Sequence, residues 1–558
     1  METQYIRKTD FLFFVLIGTL IFTLIPKPIS INILGTMGEK FAIYPLGAGM
    51  VLTVYAWILS RKKRERKQIC WKVEDSYRNL LIRMKWFLGS LYVVLTISII
   101  LGALSYPYYE QLFSNNQVLP ERLIFVMRIF HSENIPKGGI GLWLIIKGMK
   151  NIFWDIFWLF GGAFLIYLWY KERFARCFDL LIKGIFTSFV IIFLYELIEL
   201  PYLLGNQTAA HILTIINPYI HQIGHLNNSY IGSSNAEIQA YSWWPPLLLK
   251  HQVRSVFAEP SFFGLYSAFA IPWLWYVWVE IRRNILFSVK GVSLLLTILM
   301  IDFLVFATQA RTAVILFIGE MVLLVLYGIY MEKKEIWERI AGIILLAILA
   351  FCGSLAFSQI EKNGLEKVNK TGTFIQTAGE RYVSENITSA VGKNQRSNRA
   401  RFSLMEAELK LWTEHPIFGV GKGLKGAYIP EKLPVDATKS AEVRMWISRL
   451  HANGPLKASF PDVSEYTSKL CEIGLLGCLL YYFPVLYLVF YFALFLWRNR
   501  VEKKHLEIRT LIFFYSISLI GILAGGISTS LNVNYCFGVL MGIGLILYQQ
   551  VKSLDGKE

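Results

Sequence analysis

Three arginines stand where a lone surface charge is out of place. Arg254 opens "RSVFAEPSFFGLY" (Arg254–Tyr266), Arg311 lies within "FATQARTAVILF", and Arg401 opens "RFSLMEAELKLW". Each sits at the mouth of an apolar or amphipathic run. Such an arginine is either an anchor that snorkels to water or a fixed cation that meets an anionic group. Glu259 follows Arg254 closely, and with Pro260 and Ser261 it precedes the uncharged run from Phe262 to Val279. A carboxylate buried beside an apolar helix holds its proton more tightly, which suits a general base. The same Glu-Pro-Ser triplet also makes a good helix start.

Downstream of Arg401, "HPIFGVGKG" places Pro416 where it stops a helix. Gly419, Gly421 and Gly423 then allow a tight turn and close backbone approach. No Gly-Lys-Ser/Thr follows, so this is not a phosphate loop of the nucleotide-binding kind. Glu196 and Glu199 in "YELIELP" lie one helical turn apart and can pair with an arginine or do chemistry. Asp302 and Glu320 sit inside adjacent apolar runs, where a charge is costly and a buried structural partnership is expected. "YSWWPPLL" (Tyr241–Leu248) reads as an interfacial aromatic belt, with sugar stacking as the second reading.

The elements that must position these residues are membrane helices. The 558 residues are 55% hydrophobic and only 17% charged, with mean hydropathy +0.46. Apolar runs of about 17–25 residues recur, each long enough to cross roughly 30 Å of hydrocarbon. Only helices satisfy the backbone in such runs, so the expected class is an all-α polytopic membrane protein. Twelve spans are expected, near 11–25, 41–60, 86–105, 152–170, 181–200, 261–280, 288–307, 312–330, 340–357, 471–496, 511–529 and 535–550. The net charge of +17 concentrates in clusters such as Arg61–Lys67, Arg282-Arg283, Lys333-Lys334 and Arg498–Arg500. These clusters follow the second, sixth, eighth and tenth spans, which is a topology signal and not a nucleic-acid surface. It puts both termini in the cytoplasm and the long 358–470 connection outside. Six cysteines form no CxxC pair and no zinc spacing.

The chain divides into four blocks. Residues 1–200 carry the first five spans, and 201–357 carry spans six to nine with the motifs around Arg254 and Arg311. Residues 358–470 form a large outer loop with an amphipathic helix at 401–415, and 471–558 hold the remaining spans. In that helix Phe402, Met405, Leu409 and Trp412 recur at helical spacing, with Ser397 or Asn398 as its cap.

Four of these motifs together resemble the O-antigen polymerase and O-antigen ligase superfamily. They are "RSVFAEPSFFG", "QARTA", the Arg401-to-Pro416 spacing followed by an aromatic and Gly-x-Gly, and "LCEIGLLG" (Leu470–Gly477). The resemblance covers roughly residues 250–496 and is closer to the polysaccharide polymerases. It implies a GT-C-like membrane glycosyltransferase that acts on an undecaprenyl-diphosphate-linked oligosaccharide. On this chain Arg254, Arg311 and Arg401 match the diphosphate-holding arginines, with Pro416, Gly419 and Gly421 forming a structural turn near them. It also implies a bacterial cytoplasmic membrane location and dealings with a flippase and a chain-length regulator. No DxD or His/Glu cluster stands out, so chemistry without a metal or cofactor is expected. One departure concerns the base. Ligases carry a His-Asn pair nine residues before the glutamate of Glu-x-Gly-x-x-Gly, and here that place is Val463, between Asp462 and Ser464. Glu259, Asp462 and His451 remain the candidates. A ligase and a transporter of the same lipid-linked units are the alternatives.

Overall fold

The computed structural model describes residues 2–25, 31, 38–64, 75–109, 137–221, 248–249, 251–280, 288–363, 396–455, 460–500, 505–531 and 533–555. "YSWWPP" and most of the polar first half of the long loop lie outside these residues. Among those described, the fold is helical and no strand is present. In chain order the helices are α1 Glu2–Gly18, α2 Ile43–Arg64, α3 Asp75–Leu104 and α4 Lys137–Ile156. A π turn at Phe157–Gly161 joins α4 to α5, Gly162–Tyr170. Then come α6 Phe174–Leu203, α7 Gln207–Ile220, α8 Pro260–Glu280, α9 Val289–Ala307, α10 Arg311–Met331 and α11 Lys334–Asn363. The long connection contributes α12 Arg396–Glu414, α13 Lys425–Lys432 and α14 Ala441–Asn453. The chain closes with α15 Glu465–Arg498, α16 Leu506–Gly525 and α17 Cys536–Asp555.

Ten of these segments are long and apolar enough to cross a membrane, and they coincide with the third to twelfth expected spans. The first expected span falls on the 17-residue α1, and the second on α2, whose apolar part is the shorter Ile43–Leu59. α1 starts at Glu2 and stops at Gly18, well before residue 25. Its polar beginning stays helical because Asp10 is tied to α6 by Arg173 and Arg176, each at 2.8 Å. The fourth span starts earlier than expected, because the helix begins at Lys137 and runs through the π turn to Tyr170.

The bundle is organised around α8, whose Tyr266, Phe269, Trp273 and Trp275 are fully buried. It packs against α10 and α16, while α9 packs on α11, α17 on α5 and α1 on α6. Apolar residues cover nearly the whole circumference of α8, the mark of a helix surrounded by protein. Helices α12 to α14 form a layer over one end of the bundle, called the loop end below, and α12 rests on α15. The fully buried face of α12 lies beside the series Phe402, Met405, Leu409 and Trp412. Ala400, Leu404, Ala407 and Leu411 are fully buried, whereas Phe402 and Leu409 remain more than a third exposed. The alanines allow α12 to approach its neighbours closely, and the larger side chains point elsewhere.

Candidate functional site

Two glycine motifs, separated by about fifty residues of chain, meet as a single knot. Helix α15 breaks at Gly474 (φ 66°, ψ −178°), and the 416–423 turn fills the break. The amides of Val420 and Gly421 donate to the carbonyls of Cys471 and Glu472, both at 2.9 Å. In return the amides of Leu475 and Leu476 donate to Pro416 and Ile417 at 2.8 and 3.2 Å. The glycines are required by this contact. A Cβ on Gly419 would lie 2.5 Å from the Glu472 carbonyl carbon, and one on Gly474 would lie 2.2 Å from the Ile417 oxygen. Glu472 closes the knot with its side chain: one oxygen accepts from the Gly423 amide at 3.0 Å, and the other pairs with Lys422 at 3.0 Å.

The knot holds α12 across the loop end, and with it Arg401. The Arg401 Nη1 donates to the Ser528 carbonyl at 2.6 Å. Arg311, first residue of α10, donates to the Asn398 side chain at 2.8 Å. Thr312 next to it shares a hydrogen bond with the Ser528 hydroxyl at 3.2 Å. Arg311 and Arg401 are close enough to repel one another. The Arg401 bond runs to a neutral carbonyl and the Arg311 bond to a neutral amide oxygen. Facing Arg401 is Glu259. Its carbonyl accepts the amide of Phe262 at 3.0 Å, so it does begin α8, and its carboxylate accepts from the Ser261 hydroxyl at 2.6 Å. Burial pushes the Glu259 carboxyl above the usual carboxylate range, against the opposing pull of Ser261 and Arg401. The helix-start and proton-transfer readings of this residue are therefore compatible.

Arg254 reaches the same end of the bundle but turns its side chain elsewhere. Its guanidinium is buried next to Tyr195 and Glu199 of α6. Glu199 also accepts the Ser255 amide at 2.7 Å. The Val253 amide donates to the Ala307 carbonyl at 3.2 Å, four residues before Arg311. This segment braces the turn that carries Arg311, with Glu199 as its clamp. Asp302 and Glu320 are buried in neighbouring spans, near enough to influence each other.

The remaining base candidates fare differently. Asp462 is held by Lys425, whose ammonium lies 2.6 Å from it, 2.7 Å from Glu408 and 2.7 Å from the Ser468 hydroxyl. Although burial opposes it, the charge of Lys425, helped by Lys422, keeps the Asp462 carboxyl well below the usual range. A carboxylate so stabilised is a poor base at neutral pH. His451 lies exposed in the last turn of α14, and Val463 is buried. Replacing Asp462 with Asn should leave turnover within about threefold and destabilise by about 1 kcal/mol, since the side chain is 42% exposed and screened. The stability that Asp462 adds is present at neutral pH and disappears as acidification passes through its depressed pKa. Parallel turnover assays and thermal unfolding at pH 7 and in acid check both parts.

The sequence reading missed the lysines. Lys422 and Lys469 both approach Asp155 of α4, at 3.5 and 3.6 Å, and Lys40 sits near the same group. Lys40 also stacks over Trp158, 4.8 Å from the ring centroid. Lysines inside "GKG" and "SKLCEIG" were the available signal, since a lysine within an apolar or glycine-rich stretch needs a buried partner.

Residues 267–445, about a third of the chain, match the family model described as O-antigen ligase. The match includes Arg311, Arg401 and the Gly-x-Gly turn, while Arg254 and Glu472 lie on either side of it. It agrees with the resemblance to the O-antigen polymerase and ligase superfamily and supports a role of the ligase or polymerase type in a multi-pass membrane setting. No curated protein and no solved structure matches the chain.

Proposed function

We propose that the protein polymerises undecaprenyl-diphosphate-linked oligosaccharide units at the outer face of a bacterial cytoplasmic membrane. Both termini lie in the cytoplasm and the α12–α14 layer lies outside, because the basic clusters fall on the opposite side from that layer. The observation that carries the reading is the convergence of Arg311, Arg401 and Glu259 from three distant segments. In the reaction, an acceptor sugar hydroxyl attacks the anomeric carbon of the donor glycan. The bond from that carbon to the diphosphate breaks, and the diphosphate leaves with the electron pair. Its growing negative charge is met by Arg311 and Arg401, each a planar fork of donors for phosphate oxygens. Glu259 takes the proton of the attacking hydroxyl. Arg254 contributes through the backbone, by fixing the turn before Arg311.

The description of the matched family favours a ligase as the second reading, with transfer to lipid A-core or another acceptor. Buried Val463 at the place of the ligase histidine counts against it. Purified protein in proteoliposomes, supplied only with lipid-linked single repeats, separates the two. A ladder of longer lipid-linked glycans supports polymerisation. Transfer that occurs only after a separate acceptor is added supports the ligase.

Proton transfer by Glu259 has a pH signature. Its raised carboxyl must be ionised to act, so activity should fall towards acid through a limb lying above the ordinary carboxylate range. Glu259→Gln should lose about a hundredfold in rate together with that limb. Ser261→Ala should keep most of the rate and shift the limb upward, because it removes a hydrogen bond that favours the ionised form. Rate–pH profiles of the three proteins are the measurement.

A further inference from the structure

The circumference of α12 has three distinct arcs. At about 100° per residue, Ala400, Leu404, Ala407 and Leu411 share the arc that packs into the loop-end layer. Glu406, Lys410 and Thr413 share a second, charged and exposed. Phe402, Met405, Leu409 and Trp412 share a third: Met405 and Trp412 are half-buried against the protein, while Phe402 is 37% and Leu409 39% exposed. A helix needs only one apolar arc to hold it on its own protein.

The third arc is continuous with the lipid-facing surface of a membrane span. At the end of α12 the chain passes to Ile417, 59% exposed, whose carbonyl receives the Leu476 amide of α15. From there Leu475, Leu479 and Phe483 carry an exposed apolar stripe down α15, at 47%, 56% and 56%. That helix is one of the ten long enough to cross the bilayer, so the stripe along it faces acyl chains. The knot at Gly474 thus sets α12 where α15 leaves the hydrocarbon.

We infer that α12 lies along the bilayer surface at the loop end, with Phe402 and Leu409 immersed at the boundary of headgroups and acyl chains and the half-buried Met405 and Trp412 beside them. Its occupant is the leaflet itself. Apolar side chains on one arc with acidic and basic residues beside them is the composition of a helix held in the interface plane, and a tryptophan prefers that depth. The inference needs only that α15 spans the membrane; it stands whether or not the protein polymerises glycans, and on whichever side the layer lies. It also sets the depth of Arg401, which borders the apolar arc. The guanidinium is held at the level of phospholipid phosphates, where a lipid-linked anion meets it without leaving the membrane.

Nitroxide labels on the full chain in phosphatidylethanolamine/phosphatidylglycerol proteoliposomes test this. Single cysteines are placed by Leu409→Cys, Phe402→Cys and Lys410→Cys in a background lacking Cys70 and exposed Cys352. Power saturation with oxygen and with a water-soluble nickel chelate then reports the depth of each label. Labels at Leu409 and Phe402 should be more accessible to oxygen than to nickel, and the order should reverse at Lys410. Nickel access at Leu409 and Phe402 as high as at Lys410 would put the arc in water and overturn the proposal. Exclusion of both reagents there would show that protein covers it, and would overturn the proposal equally.

Discussion

On the proposed polymerisation, Arg401→Ala should abolish long-chain product and leave single lipid-linked repeats to accumulate, with turnover down by about a hundred- to a thousandfold. The size follows from where the guanidinium stands. It is fixed by the Ser528 carbonyl at 2.6 Å and repelled by Arg311, so it is positioned before any anion arrives. A preorganised cation of this kind gives most when charge grows on the leaving group, and little reorganisation is needed to use it. Removing it relieves the repulsion on Arg311 without placing another donor there. The protein should therefore fold normally while losing activity. The measurement is a gel of surface glycan beside quantified lipid-linked intermediates, with unfolding temperature in detergent as the control. Persistent long-chain glycan in a cell that carries only the variant would remove Arg401 from the site.

The second large effect is structural. Gly474→Ala should destabilise by roughly 3 kcal/mol or more, from a left-handed backbone and a clash with main-chain atoms. The added Cβ would lie 2.2 Å from the Ile417 oxygen and 2.4 Å from its carbon, and neither can rotate away. Relief requires the 416–423 turn to withdraw from α15, breaking hydrogen bonds on both sides of it. Activity should fall with stability, because α12 and Arg401 are held by that turn. Gly423→Ala is the comparison, since no heavy atom stands within 4 Å of its Cβ and only the φ of 81° is strained. It should cost about 1–2 kcal/mol. Thermal unfolding of both variants in detergent gives the ranking, and equal losses would show that the clash is not decisive.

Much of the architecture was legible because hydropathy and the placement of lysine and arginine report directly on the bilayer. Ten expected spans coincide with helices, and the start of α8 at Glu259-Pro260 was readable from residue types alone. The first span was misplaced because its polar beginning is stabilised by Arg173 and Arg176, more than 160 residues away, which no local pattern contains. The packing face of α12 was less legible, because the small Ala400 and Ala407 that share it with Leu404 and Leu411 do not stand out in a hydrophobic pattern. Arg311 and Arg401 were found from their positions at helix mouths, and the structure brings them together. Of Glu196 and Glu199, the second pairs, at the backbone of Arg254 and Ser255. Asn398, expected as a helix cap, instead grips Arg311. The Lys425–Glu408–Asp462 group joins three segments, and pairing across such distances leaves no periodic trace in a single chain.

The knot between the 416–423 turn and α15 has a consequence for how such sequences can diverge. Four of its hydrogen bonds run between main-chain atoms, so these bonds do not depend on the exposed side chains of Ile417 and Leu475. Those two positions can vary, while Gly419, Gly474 and the carboxylate at Glu472 stay fixed by the contacts they make. The joint can keep its hold on α15 while its exposed surface changes.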